Sequence, residues 1–245
     1  MKKALILFLL FPFIVFSQEN LKYYEQYMPE SSCGEIIDYS YYSVSFCEEY
    51  KLSEWTIYYT NKDKLIAEQV LRNNDFRQDP NLKGRDAALS DYRYSGYDRG
   101  HLVPAADMSF NHTAMSEVFF MTNIVPQLPE LNRGGMKILE SQFREWILNF
   151  DSIVIITGWV KDNYQTAIGS GIPVPAYFYK VFIDIQNKRS IALLLPNGND
   201  YFPEKPALEY TVSIDYLQRV TGLDFFYKLS DEDELSFEID TGNKK

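Results

Sequence analysis

The sequence is poor in the side chains that support thiol and histidine chemistry. Among its 245 residues are two cysteines, Cys33 and Cys47, and two histidines, His101 and His112. A tetrahedral zinc site of cysteine and histidine ligands needs four such side chains, which would take every one in the chain. The composition therefore argues against a structural zinc site of this type and against thiol catalysis.

The chain also lacks an excess of positive charge. It has 24 Lys and Arg against 34 Asp and Glu, which gives a formal net charge of −10. Proteins that bind nucleic acid or anionic membrane through overall charge carry the opposite sign. A polyanion would need a locally basic site, and positions 72–101 hold six basic residues against five acidic ones.

One long apolar run is present, from position 4 to position 16. It is shorter than the roughly 20 residues that span a bilayer as a helix. Lys2 and Lys3 precede it and Ser17 follows it, which is typical of a secretory leader. We expect residues 1–17 to be a signal peptide, and the product to be exported to the periplasm or the medium without a membrane anchor.

An exported protein can form disulfides. A bridge between Cys33 and Cys47 would close a loop of about 15 residues and stabilise the fold by roughly 3 kcal/mol. Two free thiols are the alternative.

Hydrophobic periodicity predicts a single α+β domain over residues 18–245, with a central antiparallel β-sheet flanked by helices. Strands are predicted at 41–47, 55–60, 118–125, 153–157, 177–185 and 190–195, and helices at 132–147 and 214–220. Residues 18–40 are predicted to be an irregular lead-in, 48–54 a charged connection and 61–95 a long connection. The acidic stretch at about 231–245 is predicted to be a solvated tail.

A short motif, Asp98-Arg99-Gly100-His101, concentrates the candidate chemistry. Histidine accepts protons near neutral pH. An arginine two residues away attracts an anion, and a glycine lets that anion approach the backbone. The alternative is a turn with a surface salt bridge. His112 follows Asn111 in a polar turn, and we expect no catalytic role for it.

Oxygen ligands for a hard cation follow downstream. Asn132 is predicted at a helix start, where free backbone N–H groups favour anions. Glu140 lies eight residues later, about two helical turns on, and so nearly on the same face. An amide oxygen, a carboxylate and retained waters suit a divalent cation. The alternative roles are a helix cap for Asn132 and a solvated helix face for Glu140.

These motifs, in this order, resemble the DNA/RNA non-specific endonucleases of the ββα-metal class. The resemblance covers about Tyr42 to Phe226. It depends on the stretches 95–108, 122–127 and Leu131-Asn132-Arg133-Gly134 with Glu140, and on later stretches at 153–158, 168–169, 174–175, 179–180 and 195–197.

The resemblance implies a ββα-metal catalytic motif and a role for each matching residue. His101 would be the general base that activates water, and Asn132 the direct protein ligand of one Mg²⁺, with Mn²⁺ or another divalent cation as alternatives. Glu140 would hold metal-bound waters. Arg99 would orient the strand or bind phosphate, and Asn123 would support the site by hydrogen bonding.

The resemblance also implies an arginine that contacts the scissile phosphate. Arg72 and Arg77 both lie near the expected place, and the sequence does not distinguish them; Arg133 is a further candidate. Where some members carry a polar residue four positions before Asn123, this chain has Phe119, so that supporting contact is absent or replaced.

The sequence thus predicts a secreted, metal-dependent endonuclease that hydrolyses DNA or RNA with little sequence specificity and leaves 5′-phosphate ends. A catalytically inactive nucleic-acid-binding module on the same fold is one alternative, and a phosphodiesterase for a smaller substrate is another. The preference between DNA and RNA stays open, as does the choice between monomer and homodimer.

Overall fold

A computed structural model of the chain describes residues 20–149, 152–198 and 207–239. The predicted leader at 1–17 lies outside these residues. The strands in the described ranges are β1 (Glu35–Asp38), β2 (Tyr42–Cys47), β3 (Leu52–Thr60), β4 (Asp98–His101), β5 (Ile124–Gln127), β6 (Ile153–Trp159), β7 (Tyr164–Ile168), β8 (Ile172–Pro175), β9 (Tyr177–Asp184), β10 (Arg189–Pro196) and β11 (Thr211–Val212). The α-helices there are α1 (Lys62–Ile66), α2 (His112–Glu117), α3 (Lys137–Ile147), α4 (Ile214–Thr221) and α5 (Asp231–Ile239).

Seven strands form one antiparallel sheet in the order β1-β2-β3-β6-β9-β10-β11. β4 pairs with β5, and β7 pairs with β8, in two small antiparallel ladders. This confirms the predicted α+β class. Helix α4 also matches its prediction: the Ser213 hydroxyl accepts from the Tyr216 N–H at 3.1 Å, and Gly222 ends the helix with φ +68°.

The two faces of the large sheet bury separate apolar clusters because side chains alternate along each strand. In β9, Tyr179 and Val181 pack on the side of α4 and α5, whereas Phe178 and Phe182 pack on the side of α3. The β4–β5 ladder and α3 belong to this second side. All candidate site residues of the motifs therefore lie over one face of the sheet.

The predicted strand at 118–125 is wrong over most of its length. Met121–Asn123 is a 3₁₀ turn, and β5 starts only at Ile124. The Val118 N–H bonds to the Ala114 carbonyl at the end of α2, and its own carbonyl accepts from the Asn123 amide at 2.9 Å. These residues are apolar because they are buried, and their backbone groups are satisfied without a strand.

Other segments are more ordered than predicted. The lead-in contains β1, the long connection contains α1, and the acidic tail begins with α5, whose Phe237 is buried. The charged connection ends early, because β3 starts at Leu52 and buries Glu54. Burial raises the pKa of this carboxyl, but hydrogen bonds from the Ser32 hydroxyl and the Cys33 amide outweigh that effect and lower it.

Cys33 and Cys47 form a disulfide with their Cα atoms 5.4 Å apart. The bridge joins the lead-in to the end of β2, next to the hydrogen bonds around Glu54. In the described ranges, none of the helices has the length and apolar character needed to cross a bilayer.

We predict that replacing both cysteines by serine lowers the free energy of unfolding by about 3 kcal/mol, because the unfolded chain regains the freedom that the closed loop removes. For a domain of this size the melting temperature should fall by roughly 6–12 °C. Calorimetry would measure this. Unchanged melting of the double variant would contradict the prediction, and wild type treated with reductant is the control.

Candidate active site

A groove of about 550 Å³ lies over the β4–β5 side of the sheet. It brings together several residues of the predicted site with aromatic side chains that the motifs did not single out. Its lining residues are Arg72, Phe76, Leu89, Tyr92, Arg93, Tyr97, Asp98, Arg99 and Asn132. Three arginines against one aspartate give this place the local positive charge that the acidic chain as a whole lacks.

Strand β4 directs Arg99 and His101 to the same side, because they are two residues apart. Both contact Phe76: the Arg99 guanidinium lies 4.2 Å from its ring centroid, and the His101 ring centroid is 5.3 Å away. The predicted base and the predicted phosphate-binding arginine are thus held by one aromatic ring.

Phe119 completes this arrangement. Its ring meets His101 edge-on at 5.0 Å and Phe76 edge-on at 4.9 Å between centroids. The Arg72 guanidinium lies 5.0 Å from its centroid. The sequence predicts that a polar supporting contact is absent or replaced at this position. In the structure the Phe119 ring supports the imidazole by packing and also positions an arginine.

The environment of His101 keeps its imidazole neutral. Burial, followed by the charges of Arg72 and Arg99, lowers the pKa of His101 to about 3. Nε2 is shielded from solvent, and no described residue provides it with a hydrogen-bond partner. A neutral imidazole can accept a proton, and an anion bound between the two arginines would offset their charge and strengthen it as a base.

The Asp98 carboxylate connects β4 to the segment that carries Asn132. It accepts from the Asn132 amide at 2.9 Å and from Arg133 at 2.7 and 2.6 Å. Burial raises the pKa of Asp98, but the hydrogen bonds from Arg133 and Asn132 outweigh that effect and lower it. The Asn132 side-chain nitrogen is thereby fixed, and its oxygen stays available. Arg133 is held by Asp98 rather than directed at the groove.

Asn132 lies in the first turn of a helical segment, as predicted, but its backbone N–H is not free. Its N–H bonds to the Leu128 carbonyl at 2.9 Å, and the Asn197 side chain accepts from the Leu128 N–H. Leu131–Met136 forms a π-helical turn that continues into α3. Two turns of an ideal α-helix take about 7.2 residues, so a step of eight residues rotates past two full turns. A π-helical turn holds more residues, and it therefore brings the rotation from Asn132 to Glu140 closer to two full turns.

Glu140 lies in the first turn of α3, just after the π-helical turn. Its side chain is 19% exposed, and one of its oxygens is 4.0 Å from the Lys180 ammonium. Burial raises the pKa of Glu140 to about 7, while Lys180 opposes the shift. Lys180 is itself buried in β9 and donates to the Thr157 hydroxyl on the neighbouring strand at 3.1 Å. Burial lowers the pKa of Lys180, and Glu140 opposes that shift.

The motifs did not indicate the charged side chains around Glu140, which are Asp107, Arg144 and Lys180. Asp107 accepts from the Tyr58 hydroxyl at 2.6 Å and from Arg144 at 2.9 Å. Two signals could have found them: Arg144 follows Glu140 by four residues on the same helix face, and Lys180 interrupts an apolar strand at an inward position.

Asn123 lies inside the protein rather than in the groove. Its side chain is fully buried, exchanges hydrogen bonds with the Val103 N–H and carbonyl at 2.9 and 3.0 Å, and also donates to Val118. It holds the chain that leaves His101.

The two loop arginines occupy different environments. Arg77 donates to Asp75 and to Ser116, and its backbone bonds to Phe119. Arg72 lines the groove, and its charge lowers the pKa of both His101 and Glu140. The structure therefore brings Arg72 to the site and leaves Arg77 in a structural role. His112 is exposed at the start of α2.

The donor set fits a hard divalent cation. The Asn132 side-chain oxygen and the Glu140 carboxylate are oxygen donors about two turns apart on one helical segment. Within residues 20–149, 152–198 and 207–239, no three His, Cys, Asp or Glu side chains cluster as a metal cage. Mg²⁺ commonly retains several waters and takes one or two protein oxygens, so these two donors suffice.

The chain is similar in sequence to known nucleases. A family model described as DNA/RNA non-specific endonuclease matches residues 20–232. Mouse mitochondrial nuclease EXOG is 29% identical over 209 residues, covering 78% of this chain and 56% of that protein. Human mitochondrial endonuclease G is 29% identical over 188 residues, covering 70% and 62%. Nuclease C1 of Cunninghamella echinulata var. echinulata is 27% identical over 221 residues, covering 83% and 87%.

The fold is shared with a solved structure. The chain aligns with the crystal structure titled the EndoG/EndoGI complex at a TM-score of 0.77 and 23% identity, covering 87% of this chain and 93% of that one. Against the EXOG relatives the chain spans just over half of their length, 56% in mouse and human.

We predict that Glu140→Gln stabilises the metal-free protein above pH 7. The folded-state pKa of Glu140 lies above the unfolded value of 4.5, so folding takes up a proton and stability falls as pH rises from about 4.5 to 7. The charged carboxylate then costs up to about 3 kcal/mol. Melting temperatures in chelator should favour the variant at pH 8, with the difference shrinking toward pH 5. A constant difference would disprove the assignment.

Proposed function

The chain belongs to the family of DNA/RNA non-specific endonucleases, and from this premise we propose that it hydrolyses phosphodiester bonds of DNA or RNA with little sequence specificity. The observation that carries the proposal is the neutral imidazole of His101 beside a groove that three arginines and Asn132 line. The related proteins named nucleases support the same reaction class.

In the proposed reaction His101 accepts a proton from a water molecule as that water attacks phosphorus. Arg72 packs on the Phe119 ring and Arg99 on the Phe76 ring, and both line the groove, where they would bind the anionic phosphate. Binding of the anion reduces the positive charge around His101 and raises its proton affinity when a base is needed. The expected products carry 5′-phosphate and 3′-hydroxyl ends.

We propose Mg²⁺ as the cofactor. The Asn132 oxygen would bind it directly and Glu140 would bind its waters, with Asp98 orienting the amide. When bound, a divalent cation neutralises charge that develops on the phosphate and leaving-group oxygens. Lys180 holds a positive charge next to Glu140 and so favours the ionised carboxylate that such a site needs.

Low sequence specificity is consistent with the groove. Contacts to the sugar–phosphate backbone position a protein without reading bases. Arginines can make such contacts at any sequence. The proposed reaction therefore does not require a helix or strand that reads bases in a DNA groove.

We also propose that the protein is exported. The leader pattern at residues 1–17 supports this, and a disulfide between Cys33 and Cys47 suits an oxidising compartment.

Purified protein should nick supercoiled plasmid in the presence of Mg²⁺. The nicking activity should stop when chelator is added and return when Mg²⁺ is restored. His101→Ala should lower turnover by roughly 10²–10⁴-fold, the range for loss of a positioned base. His112→Ala is the matched control and should retain activity. Metal-independent nicking, or equal rates for the His101 variant and wild type, would rule out this mechanism.

Arg72→Ala and Arg77→Ala should have opposite consequences. Loss of a charged hydrogen bond to phosphate at Arg72 should lower kcat/KM about 10- to 100-fold with little change in melting temperature. Arg77→Ala should lower stability by about 1–3 kcal/mol, because Asp75 and Ser116 lose their partner. Steady-state kinetics and calorimetry on both variants would test this, and the reverse pattern would refute the assignment.

A further inference from the structure

A strained turn stands at the wall of the groove. The Ser95 N–H bonds to the Tyr92 carbonyl at 3.3 Å. Between them, Arg93 has φ −69° and ψ 124°, and Tyr94 has φ +58°. These angles define a type II turn, in which glycine is favoured at the position that Tyr94 occupies.

Packing does not explain the tyrosine at this position. Among the described residues, Phe226 is the other aromatic residue with positive φ, and its side chain is fully buried. The Tyr94 side chain is 99% exposed. A bulky residue in this backbone region is strained, and at Tyr94 no core contact offsets the strain. The ring is therefore placed in solvent at a cost to the fold, which points to a role in binding.

The turn is anchored on both sides. Tyr92 is buried, and its hydroxyl donates to the Ile124 carbonyl at 3.4 Å. Asp91 accepts from the Ser170 N–H at 2.8 Å, which ties the segment to the β7–β8 hairpin. The Ser95 hydroxyl donates to the Tyr92 carbonyl at 2.9 Å. The exposed ring therefore projects from a fixed base, which lowers the entropy cost of stacking on it.

The location favours a nucleic-acid partner. Tyr92, Arg93 and Tyr97, which surround Tyr94 in sequence, line the same groove as Arg72 and Arg99. A sugar–phosphate backbone drawn to these arginines brings its bases alongside the groove wall. An aromatic side chain stacks on a base of any identity, which agrees with low sequence specificity.

We propose that Tyr94 is a stacking platform for an unpaired base of the substrate, so that single-stranded nucleic acid is the preferred class. A base within a duplex has both faces covered by its neighbours, whereas an unpaired base has a free face. This inference depends on the proposed function, because the groove must bind the phosphate backbone for a base to reach the ring.

Measuring nucleic-acid binding in the presence of chelator separates binding from cleavage, because the proposed cleavage needs a divalent cation. The probes are a fluorescein-labelled oligothymidine of ten nucleotides and an abasic oligomer of the same length, measured by fluorescence anisotropy. The variants are Tyr94→Gly, which suits the turn and removes the ring, and Tyr94→Trp, which keeps a ring. Tyr216→Ala is the matched control, because Tyr216 is an exposed tyrosine of α4, on the opposite side of the sheet.

We expect Tyr94→Gly to raise the Kd for oligothymidine about 5- to 150-fold, the range for one stacked base, and to leave the abasic Kd within two-fold of wild type. Its melting temperature should equal or exceed that of wild type, because the turn strain is relieved. Tyr94→Trp and Tyr216→Ala should keep the preference for oligothymidine. The indole emission that Tyr94→Trp adds to the wild-type spectrum should be quenched on binding of unlabelled oligothymidine.

Two results would overturn the inference: an unchanged preference in Tyr94→Gly, or an equal loss of affinity for both oligomers. If wild type cleaves nucleic acid with Mg²⁺ but Tyr94→Gly keeps the preference, this inference alone fails. If wild type neither binds nor cleaves, the proposed function fails with it.

Discussion

The site depends on the hydrogen bonds that the Asp98 carboxylate accepts. Asp98 lies at the start of β4, three residues before His101, and bonds across to Asn132 and Arg133 in the helical segment. One side chain thus sets the position of the predicted base relative to the predicted metal ligand and selects which atom of Asn132 remains available. The β4–β5 ladder is only four residues long. The Asp98 contacts therefore help to fix the position of β4 relative to the helical segment, which so short a ladder would hold less firmly.

Four charged side chains, each buried or partly buried, balance one another near α3. Two acids, Asp107 and Glu140, face two bases, Arg144 and Lys180. Each group alone would be costly in this environment, and each is retained because a partner of opposite sign is within reach. The arrangement leaves Glu140 only marginally ionised near neutrality, as its pKa of about 7 indicates. The fold therefore gives up some stability to keep an ionisable carboxyl at this place.

Much of the architecture was predictable from the sequence. The strands β2, β6, β9 and β10 and the helices α3 and α4 have strong periodicity over several residues, and the predictions found them. The predictions failed where side-chain hydrogen bonds satisfy buried groups. The Asn123 side chain bonds the backbone at the false strand, and serine hydroxyls bond the Glu54 carboxylate within β3. Such solutions depend on residues far apart in sequence, which periodicity does not report.

The site divides in the same way. The motifs named Arg99, His101 and Asn132, which the structure brings to one groove, but the strand β4 that carries Arg99 and His101 was not predicted. The choice between Arg72 and Arg77 required the three-dimensional contacts of each guanidinium. Phe76 and Phe119 were not predictable as partners of His101, because a phenylalanine in sequence is indistinguishable from ordinary core. Lys180 has a further consequence for assembly of the sheet. A slip of β9 by one residue would turn the Lys180 ammonium into the opposite apolar cluster, away from Glu140. The charge that pairs with the carboxylate therefore also fixes the register of β9.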